Sequence, residues 1–82
     1  MGIVYTTKAK EDLINIDWRV RQKIVSTLGK IHDTQSKHSL LKMHNSDYYK
    51  LKISNHLVIG TLEEHNFNII TVVEEKRIKF PE

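Results

Sequence analysis

Tyr48-Tyr49-Lys50-Leu51-Lys52-Ile53 is the stretch on which the reading of the fold turns. Its period is two: Tyr49, Leu51 and Ile53 alternate with Tyr48, Lys50 and Lys52. Successive side chains of a strand point to opposite faces, so this segment reads as a half-exposed strand. One side meets a core, and the other presents two lysines about 7 Å apart. The pattern continues downstream. Ser54-Asn55 is a tight turn, and residues 56–62 form a second strand. Glu63-Glu64-His65-Asn66 is a further turn signal, and residues 67–73 form a third strand. That last strand is apolar on both faces (Phe67, Ile69 and Val73 against Ile70 and Val72), which predicts the most central place in the sheet.

Upstream the period lengthens. Ala9, Leu13 and Ile16 recur at helical spacing after a short strand, Ile3-Val4-Tyr5-Thr6, with Thr6 or Thr7 as the helix cap. Asn15-Ile16-Asp17 interrupts that helix, and Asp17 caps a second one whose buried stripe is Val20, Ile24, Val25, Leu28 and Ile31. Trp18 is expected to pack between the two helices. The polar run over residues 32–39 reads as a loop. Leu40-Leu41-Lys42-Met43 is a short apolar step, one strand or one helical turn, and a loop over residues 44–47 follows. The predicted class is α+β: an N-terminal strand, an antiparallel pair of helices, then a three-stranded antiparallel meander, with the helices on one face of the sheet.

Composition narrows the function. The chain has 82 residues, 39% of them hydrophobic and 28% charged, with no cysteine and a formal net charge of +3. That length predicts one domain over residues 1–82, with a small core. The absence of cysteine excludes disulfides, thiolate metal sites and a cysteine nucleophile. No apolar run approaches the roughly 20 residues of a membrane span, and no secretory signal is read at the N-terminus, so a cytoplasmic protein is expected. The five histidines lack the spacing that sets two ligands on one helix face, so no metal is expected. Gly2, Gly29 and Gly60 are isolated and make no phosphate loop, so no cofactor is expected either. Glu63/Glu64 and Glu74/Glu75 are sequence neighbours on or beside strands, which directs the members of each pair to opposite faces and leaves no acid–base dyad.

The basic residues divide. Arg19, Arg21, Lys23 and Lys30 read as the solvated face of a helix. Lys50 and Lys52 allow two readings: cations that keep an exposed sheet face soluble and blunt its edge, or a floor for nucleic-acid phosphates with aromatic rings nearby.

Several segments together resemble the RelE/ParE superfamily of toxins from toxin–antitoxin pairs. These are Ile3-Val4-Tyr5, the helix over residues 9–16, Arg21-Gln22-Lys23-Ile24, Leu41-Lys42-Met43, Tyr49-Lys50-Leu51-Lys52-Ile53, His56-Leu57-Val58-Ile59 and Val72-Val73-Glu74-Glu75-Lys76-Arg77. In the RelE branch the resemblance implies ribosome-dependent cleavage of mRNA on a basic sheet face. It assigns Lys50, Lys52 and Arg77 to catalytic basic positions, with Lys42, Lys76 and Tyr48 as RNA-binding neighbours. It also implies a cognate antitoxin, with the ribosome and mRNA as further partners. Two departures stand out. Leu57 occupies the place of an expected arginine, and the C-terminal tyrosine or histidine of related toxins has no counterpart. His56 is then the nearest group that titrates near neutral pH and is the candidate replacement acid or base. The alternative is a non-catalytic binding protein on the same fold, of the ParE type that inhibits gyrase.

Overall fold

The computed structural model describes residues 2–34 and 40–77, with side chains for 2–31 and 40–76. The elements run β1 (Gly2–Tyr5), α1 (Thr7–Ile14), α2 (Trp18–Thr34), β2 (Leu41–Lys42), β3 (Tyr48–Ile53), β4 (His56–Glu63), β5 (Asn66–Glu74) and a 3-10 turn, Glu75–Arg77. Five strands make one sheet in the order β1-β5-β4-β3-β2. The β3-β4-β5 meander is antiparallel as expected. β1 joins it in parallel, outside β5, with Ile3 opposite Phe67 and Tyr5 opposite Ile69.

α1 starts where Thr6 holds an extended backbone and its hydroxyl accepts the Ala9 amide at 3.2 Å. The same hydroxyl donates to the carbonyl of Ile69 at 2.8 Å, so one threonine caps the helix and fastens it to β5. Asp17 accepts the Arg19 amide at 3.1 Å and starts α2. The predicted stripes are buried: Ala9 and Leu13 of α1, and Ile24, Leu28 and Ile31 of α2, pack against Leu51, Ile53, Val58, Phe67, Ile69 and Val72. Val25 is 44% exposed and falls outside that stripe.

Four expectations are revised. β4, not β5, is the middle strand, because β1 and β5 lie on one side of it and β3 and β2 on the other; its run Leu57-Val58-Ile59-Gly60 is buried throughout. Trp18 is 59% exposed, with the Arg19 guanidinium 5.7 Å from its ring centroid, rather than wedged between helices. Arg21 does more than solvate a helix: it donates to the carbonyls of Leu13, Ile14 and Ile16 at 3.1, 3.3 and 3.4 Å, satisfying the open C-terminal end of α1. α2 runs through Thr34, so residues 32–34 of the expected loop are helical; nothing in His-Asp-Thr breaks a helix as Gly or Pro would. Residues 35–39 of that loop lie outside the described residues.

Candidate nucleic-acid interface

Away from the irregularity beside Ile59/Gly60, pairing register assigns strand residues to a face. Leu51 stands opposite Val58, which stands opposite Val72, and all three are in the helix-covered core. Lys50 stands opposite Ile59, and Lys52 opposite Leu57, which is opposite Val73. These alternate positions form the other face, away from α1 and α2. Leu57 and Ile59 are 4% and 8% exposed yet lie outside the helix-side core cluster, as that assignment requires. The alternation read from the sequence therefore holds: Lys50 and Lys52 share the open face.

Lys52 has a partner there. Its ammonium lies 3.1 Å from a carboxylate oxygen of Glu75, with the two side chains 61% and 45% exposed. Val73 belongs to the open face, and two residues on is Glu75, at the start of the 3-10 turn. The Glu75 amide donates to the Asn55 carbonyl at 2.8 Å, which anchors the turn to the β3–β4 hairpin. The ion pair thus spans from β3 to the end of β5, across the β4 position held by Leu57. Lys76 is exposed on the same turn, and Arg77 ends it; the side chain of Arg77 lies outside the described residues.

Lys42 and Tyr48 meet at the other end of β3. They line a cleft of about 580 Å³ together with Ser46, Asp47, Tyr49, Thr61, Leu62 and Glu63. Tyr48 is four strand residues from Lys52, about 13 Å.

His56 is not brought to the lysines. It pairs directly with Ile53, a helix-side core residue, and so points to the helix side. There it borders a cleft with Asp12, Asn15, Ile16, Asp17, Val20 and Glu74. Its Nδ1 is buried and has no hydrogen-bond partner among the described residues. The alternation that separates Lys52 from Ile53 already carried this information, since a two-residue turn sets His56 opposite Ile53.

Glu75 is the residue that sequence reasoning passed over. In the sequence it stands as half of an adjacent acidic pair within the segment that resembles the superfamily's last strand. Its distance of two residues from Val73 was the available sign that it would return to the lysine face.

Across the sheet, Asp12 of α1 is the main polar anchor. It accepts from the Lys8 ammonium at 2.6 Å, the Thr71 hydroxyl at 2.5 Å and the Val72 amide at 3.0 Å. Burial alone raises its pKa, but the bonds from Lys8, Thr71 and Val72 outweigh it and hold the carboxyl below its ordinary value. Among the described residues, no three His, Asp or Glu side chains gather as a metal ion would need, and no helix is long and apolar enough to cross a membrane.

No protein-family model matches the chain, and no curated protein matches it. Solved structures do. A chain of the RelBE2 toxin–antitoxin complex from Mycobacterium tuberculosis superimposes with a TM-score of 0.75 at 14% identity, covering 89% of this chain and 95% of that one. The isolated E. coli RelE toxin gives 0.72 at 14% identity, covering 89% and 82%. The YoeB dimer from Staphylococcus aureus gives 0.63 at 19% identity, covering 89% and 94%. The strand, the two helices and the mixed sheet thus form the α+β fold of RelE-type toxins.

Proposed function

We infer that the chain is the toxin of a toxin–antitoxin pair and acts as a RelE-like, ribosome-dependent mRNA endoribonuclease in the cytoplasm. The observation that carries this reading is the sheet face turned away from α1 and α2, where Lys50 and Lys52 stand beside the basic turn that ends in Arg77, on a RelE-type fold. A phosphodiester needs little covalent help from the protein. It needs to be held in line, and its extra negative charge must be stabilised in the transition state. Two ammonium groups spaced along one strand serve that purpose, and Lys42 and Tyr48 extend the track for the backbone and a stacked base. Arg77 is proposed to complete the phosphate site. His56, on the helix side, has no part in this chemistry. A cognate antitoxin is the expected partner, because solved neighbours of this fold include RelBE and YoeB–YefM toxin–antitoxin complexes.

A second reading is a binding protein on the same fold that cuts no RNA, of the ParE type directed at gyrase. Leu57 favours it: the place expected to hold an arginine is apolar and 4% exposed. Controlled expression of the lone chain, with primer extension across mRNA ends, separates the two. Growth arrest with ribosome-positioned cuts, both relieved by Lys52→Ala, is the expected outcome. Arrest with DNA damage and intact mRNA selects the second reading, and normal growth at high expression removes both.

A further inference from the structure

On the reading that this face cleaves RNA, a base for the ribose 2′-hydroxyl is still to be assigned among its described residues. We propose that Glu75 is that base, held by Lys52 against the scissile phosphate. Among the described residues, the histidine, tyrosine and other glutamate candidates stand elsewhere. His56 is on the helix side. Tyr48 is about 13 Å along the strand. Glu63 and His65 lie at the opposite end of β4, about 20 Å from the Leu57 level at which Lys52 stands. Glu75 is already in contact with a cation of the face, at 3.1 Å, and is open to a single strand. Its backbone is fixed by the bond to Asn55, so the carboxylate is presented rather than trailing.

The geometry allows both tasks at once. An ammonium has three N–H donors. With one on Glu75, two remain for phosphate oxygens. Two acceptors on one tetrahedral nitrogen lie about 4.5–5 Å apart. The 2′-oxygen, on the carbon next to the one bearing the 3′-phosphate, fits that gap. In the step, the Glu75 carboxylate takes the 2′-hydroxyl proton while the 2′-oxygen bonds to phosphorus. The bond from phosphorus to the 5′-oxygen breaks, and the leaving oxygen takes a proton from solvent. The products are a 2′,3′-cyclic phosphate and a 5′-hydroxyl end, and the Glu75 carboxylic acid returns its proton to water. The same pairing explains how an acidic residue is tolerated on a phosphate-binding face: Lys52 neutralises it.

The test uses the purified full chain, programmed ribosomes and a defined mRNA, with cleavage rate and ribosome binding measured on the same samples. Glu75→Gln is expected to slow cleavage about 100-fold or more, the usual range for losing a general base, while ribosome binding persists. Glu75→Ala is expected to be equally slow and partly restored by added formate, a rescue that a merely structural role would not show. Glu75→Gln cleaving at the wild-type rate or faster overturns the proposal, because Glu75 would then only shield Lys52; the RNA-cleaving reading survives that result. Failure of formate to restore any rate also overturns it. A wild-type chain that leaves the mRNA intact overturns both.

Discussion

Asp12 shows how much one side chain can hold. Its carboxylate ties α1 to the irregular part of β5 through Thr71 and Val72, while Lys8 neutralises it from the next helical turn. Asp12→Asn removes the charge and leaves donors without full acceptors, so a loss of about 1–3 kcal/mol is expected in urea unfolding at pH 7. The folded-state pKa is lowered. The stabilisation is therefore complete above the unfolded value of about 3.9 and is lost as pH falls through the folded one. The gap between wild type and Asp12→Asn should narrow in the same measurement carried below pH 3.9. At this scale the sequence was legible where alternation applied. Lys50 and Lys52 follow from the six residues around them. Glu75 did not, because its partner is 23 residues away and meets it only through strand pairing.

Among elements, β4 decides most. It lies between β3 and β5, and the ladder to β5 shifts at Ile59/Gly60: Ile59 faces Thr71 while Gly60 faces Ile69, leaving Ile70 as the extra residue of a bulge. Thr71, next to the extra residue, donates its hydroxyl to Asp12. Gly60 makes the close approach possible. A Cβ there would lie 2.2 Å from the Asn68 carbonyl oxygen and 2.9 Å from a Phe67 ring carbon. Gly60→Ala is accordingly expected to cost about 1–3 kcal/mol or to disrupt the sheet, read as a lowered urea midpoint and weakened amide protection in β4 and β5. An isolated glycine between apolar residues hints at such a feature, but its location at a register shift depends on which strand lies alongside.

For the whole molecule, the arrangement divides labour between the sheet's faces. One face is closed by α1 and α2 over an apolar core. The other is covered by neither α1 nor α2 and carries Lys50, Lys52 and Glu75. A net charge of +3 on 82 residues gives modest general attraction for nucleic acid. If the open face is the phosphate track, binding to single-stranded RNA should weaken linearly on a logarithmic scale as salt rises. Replacing both Lys50 and Lys52 with Gln should reduce that slope by about 1.4, two phosphate contacts at roughly 0.7 each. An unchanged slope in fluorescence titrations would place the RNA elsewhere on the surface.

By itself the sequence determined the order of the main helices and strands, most of the helices' buried stripes and the face of the two lysines. Each of these follows from local periodicity and capping, which depend on residues a few positions apart. Tertiary structure alone decided that β1 lies parallel to β5, that β4 is therefore the centre, that His56 is walled off from the lysines by the sheet, and that Glu75 meets Lys52. These rest on pairings between distant segments. Their register is set by the packing of the whole core and by one bulge, which no short window of sequence contains.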